Sequence, residues 1–323
     1  MKSVLHIGID LPSHSKEGLR KGFLAAGFTE YNFFNWQSVK LDCGILGCQT
    51  RLLRAAQSLQ PDLIFCHLQN QDIFDEETAM ELSKCGFTVN YTFDVRDAEK
   101  TEWMYELAPY FGLTLFACKE DSDEGKRRGL HNVGHIHSSC DTDVYRPLTL
   151  SEEEKSKYPE IVFIANNYVN TNLSFPQAQE RLEMVNFMKR EFGDRFLVTG
   201  MNWGDKSKIV NPQEEVLIYN SAKIVICHNN FFRTNYCSDR QWRAISSGAL
   251  AAIQYYDGCD DDFPNSSIVP YWKTFEELEE MCEFYLVDPL TLGIHRSRQR
   301  REFNNYHTWK HRIEQIKKWE LYS

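Results

Sequence analysis

The sequence predicts an α/β protein made of two successive Rossmann-like halves. Three observations predict it. Short apolar runs of strand length alternate with helical segments of about ten residues or more, as in parallel sheets joined by crossover helices. The alternation stops over a polar stretch, Asp141–Lys157, containing Arg146-Pro147 and the run SEEEKSK, and then starts again. At 323 residues the chain exceeds the usual size of one domain, and 42% hydrophobic and 13% aromatic content supplies two cores.

Taken in order, Val4–Ile9 is an apolar run that ends in Asp10, and a helical segment through Ala26 follows. Tyr31–Asn35 reads as a second strand, and a helix from about Leu46 to Leu59 is stopped by Pro61. Leu63–Leu68 is a buried strand; a helix at Glu76–Lys84, a strand at Phe87–Phe93 and a helix at Lys100–Ala108 come next. Leu113–Cys118 and Val133–His137 complete the first sheet around a charged helix. In the second half, strands at Ile161–Ala165, Phe196–Thr199, Ile224–Cys227 and Ala249–Tyr255 alternate with helices at Gln177–Glu191, Gln213–Asn220 and from Ser238. Ile268–Val269 is expected as a short strand before three closing helical segments.

Several function classes are disfavoured at this level. No apolar run approaches the roughly 20 residues that span a bilayer, and the N-terminus lacks the long apolar core of a signal peptide. The ten cysteines include no CxxC pair, and Cys66, Cys118 and Cys227 fall in apolar strands, so reduced thiols and a cytoplasmic location are expected. A net charge of −10 opposes a general nucleic-acid coat. Charge is uneven, however. Between residues 296 and 318 stand Arg296, Arg298, Arg300, Arg301, Lys310, Arg312, Lys317 and Lys318, opposed only by Glu302 and Glu314. A solvated helix face explains them, as does a surface for an anionic partner such as DNA.

The segment from Lys223 to Tyr255 carries the densest chemistry. It reads strand, loop, helix, strand, so its loop lies at strand carboxyl ends, where such sheets bind ligands. Asn229, Asn230, Arg233, Asn235, Ser238 and Arg240 give that region more polar groups than a tight connection needs. Ser238 is placed to cap the helix, leaving first-turn N–H groups and the positive dipole end for a phosphate, with the Arg240 fork beside it. The bland alternative for Arg240 is an ion pair with Asp239.

Ser238-Asp-Arg240-Gln-Trp242-Arg-Ala244-Ile-Ser-Ser-Gly248-Ala249 resembles the S-x-R-x-[FW]-E-A-x-x-x-G-A stretch of CgeB-like, family 4-like glycosyltransferases of the GT-B superfamily. Phe275-Glu-Glu-Leu278 and Tyr306-His307-Thr308-Trp309-Lys-His-Arg312 resemble that family's tail, and Asp141-Thr-Asp143-Val-Tyr145-Arg-Pro147 resembles the crossing between its domains. The resemblance implies two Rossmann-like domains facing across a cleft. An acceptor domain would span 1–147 and a nucleotide-sugar donor domain 148–305, with a C-terminal helix, 306–323, packing back on the first domain. It also implies transfer of a sugar from a nucleotide-sugar to a hydroxyl acceptor, a hydroxymethylated base in DNA being one variant within the class, with no metal and no other cofactor.

On this resemblance the donor site takes Arg240, Ser238, Asn166, Asn167 and Arg181, with Trp203 of Asn202-Trp203-Gly204 as a wall for the nucleotide. Asn235 and Arg243 fall where retaining relatives carry two acidic residues. An arginine cannot accept the ribose hydroxyl protons as a carboxylate does, so the ribose contact differs, the nucleotide differs, or the site binds without reacting. Asp94, in a TFDVR turn that resembles the family's W-x-x-D, is the first choice for the base. His14 and Asp10 are further catalytic candidates, and His67 and Arg96 are acceptor contacts. Each also reads as a capping or packed residue. His131, His135, His137 and Cys140 have metal-ligand chemistry but are more simply strand and cleft residues, and the acidic stretch Asp257–Asp262 reads as a solvated turn.

Overall fold

In the computed structural model the chain divides into two units, Met1–Ser138 with Trp309–Ser323, and Ser139–Thr308. The structure describes residues 1–10, 16–68, 73–92, 98–172, 175–204, 207–263 and 269–320.

The first unit alternates β1 (Ser3–Gly8), α1 (Lys16–Ala25), β2 (Glu30–Asn35), α2 (Trp36–Leu59), β3 (Leu63–His67), α3 (Glu76–Ser83), β4 (Phe87–Tyr91), α4 (Ala98–Leu107), β5 (Leu113–Phe116), α5 (Lys119–Arg127) and β6 (Val133–His135). Its sheet is parallel, ordered β2-β1-β3-β4-β5-β6. Successive strand residues point to opposite faces, so both faces are apolar. Leu5, Ile7, Ile64 and Cys66 pack with Leu52, Ala56, Ala79 and Leu82 of α2 and α3. Val4, Phe65, Val89 and Leu115 pack on the other side with Leu19 and Phe23 of α1.

The second unit continues with α6 (Glu152–Lys155), β7 (Ile161–Ile164), α7 (Ala178–Phe192), β8 (Phe196–Thr199), α8 (Pro212–Ser221), β9 (Ile224–Cys227), α9 (Asp239–Ser247), β10 (Leu250–Gln254), α10 (Cys259–Asp262), β11 (Tyr271–Trp272), α11 (Phe275–Val287) and α12 (Pro289–Tyr306). The sheet is again parallel, ordered β11-β10-β9-β7-β8. Ile161, Phe163, Ile224, Ile226 and Trp272 face Met184, Val185 and Met188 of α7 and Leu278 of α11. Val162, Val225 and Ala251 face Ile218 of α8, Trp242 of α9 and Phe303 of α12. The last helix, α13 (Trp309–Glu320), belongs to the first unit, where Ile313 and Ile316 join the α1 face of the sheet.

Several sequence expectations are corrected. The second helix begins at Trp36 and not at Leu46: Asn35 caps it by accepting from the Ser38 N–H at 3.2 Å, and the helix passes through a break at Gly44, whose φ is 73°. The stretch read as a linker includes α6, closed by a Ser151–Glu154 capping box. Val269 lies outside any strand; the edge strand is Tyr271–Trp272, and Ile268 is outside the described residues. The acidic stretch is no plain solvated turn. Cys259–Asp262 coil into α10, and buried Asp262 accepts from the Tyr256 hydroxyl at 2.6 Å. His135 and His137 meet edge to face with ring centres 4.6 Å apart, and among the described residues no group of three or more His, Cys, Asp or Glu is gathered to hold a metal. All ten cysteines are free, and no described helix is long and apolar enough to cross a membrane.

Two consequences are measurable. A Cβ on Gly22 of α1 would stand 2.5 Å from the Cβ of Trp309 and 3.0 Å from its backbone carbon, so the two helices approach through that glycine. Gly22→Ala is expected to lower stability by about 1–3 kcal/mol, as overpacking does, read from the urea midpoint. His6, buried among Tyr31, Phe33 and Phe65, is pushed down to about 3, first by burial and then by the Lys16 charge. Between that value and the ordinary 6.5 the unfolded chain holds a proton that the folded chain lacks, so stability falls as pH falls through the window. His6→Gln should therefore remove about 1.4 kcal/mol of stability loss per pH unit between pH 6 and 4, measured by urea unfolding at stepped pH.

Candidate functional site

In the second unit the direction of strand addition reverses between β7 and β9, and parallel sheets open a crevice at the carboxyl side of such a reversal. The pairing of these strands covers Ile161 with Ile224 and Val162 with Val225, while β7 stays paired with β8 as far as Ile164 and Thr199. Past Val162 the carbonyls on the β9 side need other partners, and two arginines supply them. Arg240 donates from Nε to the Ile164 carbonyl and from Nη1 to that of His228 at 3.2 Å. Arg181, 1% exposed on α7, donates to the Asn166 carbonyl at 3.2 Å and to the same His228 carbonyl at 3.1 Å.

The loop before α9 is tied down by Asn229. Its Oδ1 accepts from the Ser238 N–H at 2.9 Å, and its Nδ2 donates to the Tyr236 carbonyl at 3.3 Å. Its own N–H donates to Gln254 Oε1 at 3.1 Å, and Gln254 in turn donates to Glu180 Oε1 at 3.0 Å. Ser238 caps α9, with its hydroxyl accepting from the Arg240 N–H at 3.4 Å. The positive end of α9 and two guanidinium groups thus share one corner of the sheet.

Charge at this corner is unbalanced. Among the described residues neither Arg181 nor Arg240 pairs with a carboxylate, whereas Arg243, one turn along α9, pairs with Asp239 and with Glu215 at 3.2 Å. Burial, and after it the charge of Arg240, pushes the Arg181 guanidinium down to about 9, and the buried Arg181 Nε has no hydrogen-bond partner. His228 is fully buried, and neither ring nitrogen has a partner. Burial, then the Arg181 and Arg240 charges, hold this imidazole far below its usual range and therefore neutral. Its Nε2 lies 4.0 Å from Glu180 Oε1, which is consequently a contact between a neutral ring and a carboxyl group and not an ion pair. Burial raises the Glu180 carboxyl in turn. Two cations with no carboxylate partner among the described residues, a capped helix terminus and unsatisfied buried nitrogens give this corner the chemistry of an anion site.

Of the residues expected at the donor, Arg240, Ser238 and Arg181 converge here. Asn166 and Asn167 stand beside them, but their side chains serve the backbone. Asn166 Oδ1 accepts from the Met201 N–H at 2.9 Å and Asn167 Oδ1 from the Val169 N–H at 3.0 Å. They bind the turn after β8, where a Cβ on Gly200 (φ 137°) would strike the Ala165 carbonyl at 2.2 Å. Trp203 is half-buried and donates from its indole to the Ala165 carbonyl at 2.6 Å. Asn235, at a φ of 50°, donates to the Gly258 carbonyl at 2.8 Å and is held against that turn. Arg243 is turned into its buried ion network with Glu215, whose carboxylate also accepts from Tyr145 and Tyr219.

In the first unit His67 ends β3 in a buried position, and Asp10, just past β1, pairs with Lys16 at 3.0 Å. His14, Asp94 and Arg96 lie outside the described residues. Sequence reasoning missed His228, Glu180 and Gln254. His228 directly follows the apolar run Ile224–Cys227 and Gln254 ends the next strand, so strand-end position was the available signal for these two; Glu180, in α7, carried none beyond its place next to Arg181.

Residues 180–318 match a family model described as Glycosyl transferase-like. Among solved structures, the chain is similar to Alr3699/HepE of Anabaena in complex with UDP and glucose, at 11% identity and a TM-score of 0.64, covering 98% of this chain and 99% of that one. Sucrose-phosphate synthase of Thermosynechococcus elongatus matches with a TM-score of 0.64 at 10% identity, covering 100% and 98%. The N-terminal domain of trehalose-6-phosphate phosphatase of Candida albicans matches with a TM-score of 0.68 at 8% identity, covering 100% and 97%. No curated protein sequence matches the chain. With its two parallel sheets flanked by helices, the chain has the GT-B glycosyltransferase fold, and its residues 180–318 match the glycosyl transferase-like family model.

Proposed function

We propose that the protein is a glycosyltransferase that takes a sugar from a nucleotide-sugar donor to a hydroxyl acceptor, and that it is cytoplasmic and of the CgeB-like kind. The observation that carries this is that Arg181 of α7 and Arg240 of α9, neither paired with a carboxylate among the described residues, meet beside the amino-terminal end of α9, in the crevice between β7 and β9. A diphosphate supplies the missing negative charge. Arg240 and the first N–H groups of α9 bind its oxygens, and Arg181 contributes charge from behind. The same groups stabilise the leaving diphosphate as the glycosidic bond to the donor breaks, so this account needs no metal. UDP is the first nucleotide to test, since Alr3699/HepE was solved with it. The acceptor hydroxyl is left to the first unit, with Asp94 the preferred base and His14 and Asp10 behind it.

Two measurements test this. Calorimetric titration of UDP is expected to show saturable binding that Arg240→Ala weakens by about 1.5–3 kcal/mol, the worth of a charged hydrogen bond; unchanged affinity in the variant removes the diphosphate from this corner. Asp94→Asn is expected to slow sugar transfer by roughly 10²–10⁴-fold, the usual contribution of a general base, with UDP affinity intact. UDP binding without transfer or donor hydrolysis in the parent chain identifies a binding protein instead, a result that the positions of Asn235 and Arg243 would then explain.

A further inference from the structure

We propose that a cleft of about 1160 Å³ on the amino-terminal edge of the second unit's sheet is a separate anion site that takes a small organic phosphate or polyphosphate. It does not rest on the donor assignment. The cleft is bounded by the end of α8, the start of β9, the carboxyl end of α9 and one face of α12. Lys223 and Gly248, on its wall, immediately precede the β9 and β10 region, so it lies at the strand ends opposite to those where Arg181 and Arg240 meet.

Its charge is lopsided. Arg296, Arg300 and Arg301 of α12 line it together with Lys155 and Lys223. The two acidic lining residues are already engaged, Glu152 with Lys155 at 2.7 Å and Glu160 with Lys223 at 2.5 Å. Arg296 donates from Nε to the Gly248 carbonyl, at the end of α9. Arg300 and Arg301 are exposed and form no ion pair among the described residues. The chain carries −10 overall, which makes this local surplus of cations the more pointed.

Helix α12 keeps to local rules where it packs and breaks them where it borders the cleft. On the packed side the buried Gln299 amide bonds both the N–H and the carbonyl of Ala251 at 3.0 Å, and Phe303 stacks with Trp242. On the cleft side Arg296 and Arg300 are like charges one turn apart, an arrangement that weakens a helix. Gly293 lies on the same side, and a Cβ there would meet nothing within 4 Å. Neither packing nor backbone conformation requires that glycine, and glycine inside a helix is destabilising. Departures of this kind gather at functional surfaces. They leave an open wall with two free guanidinium forks, the geometry that binds phosphate oxygens in pairs. The cleft is walled by several elements, and a long polyanion would meet the repulsion of the whole acidic chain, so a compact phosphate fits better than nucleic acid.

Calorimetric titration of the full chain with tripolyphosphate tests the site, with Arg240→Ala present throughout to weaken the proposed donor corner. Binding is expected in that background and should weaken by about tenfold or more when Arg300→Ala and Arg301→Ala are added, as loss of charged hydrogen bonds implies. Gly293→Leu should weaken it too while raising thermal stability, which separates filling of the cleft from damage to the fold. In the parent chain the Arg300→Ala and Arg301→Ala pair should leave UDP affinity unchanged. Tripolyphosphate binding that ignores the α12 variants is adventitious and overturns the proposal, as does binding abolished by Arg240→Ala alone. Duplex DNA binding that falls steeply with salt, without any tripolyphosphate binding, also overturns it.

Discussion

The second unit depends on how the gap between β7 and β9 is closed. A parallel sheet whose strand order reverses has diverging strand ends, and their carbonyls lose ladder partners where solvent is already excluded. Leaving them unpaired is costly. Arg181 and Arg240 close the gap from two sides by sharing the His228 carbonyl and reaching those of Asn166 and Ile164. Arginine suits this position because its forked donors span two acceptors and its charge persists when desolvated. Structural repair of the sheet and the creation of a positive corner are one event.

The contrast along α9 shows how selectively that charge is left open. Arg243 lies one turn from Arg240 in the same helix, yet it is enclosed by Asp239 and Glu215, with Tyr145 and Tyr219 donating to the same Glu215 carboxylate. Both are arginines on a buried helix, and only one is neutralised by its surroundings. The neutral state of His228 follows first from its burial and then from the same imbalance, because a third cation beside Arg181 and Arg240 is disfavoured. Asn229 then fixes the approach of the loop, which holds the cap at Ser238 and the start of α9 in place.

Much of the fold was legible in the sequence because strands buried on both faces announce themselves as continuous apolar runs. LIFCHL and KIVIC need no periodicity to be placed. Boundaries failed where local signals conflicted. The early start of α2 was hidden by Gly44 inside the helix, and the edge strand Tyr271–Trp272 is too short to carry a pattern. In the site, Ser238 was legible because a capping serine marks a helix start, and Arg240 because a forked donor stands beside that cap. His228, Glu180 and Gln254 carry no such mark, and they become neighbours only when α7, β9 and β10 are laid side by side.

The sequence by itself determined the two α/β halves, the polar loop before α9 and the helix cap that orients it, because all of these follow from interactions between residues close in the chain. Tertiary structure alone decided which cations remain open. Asp239 is adjacent to Arg240 in sequence and pairs with Arg243, and the pairing that completes the neutralisation of Arg243 comes from Glu215 on another helix. Charge balance is settled by distances across the fold, where desolvation magnifies each unmatched group, and spacing along the chain does not encode those distances.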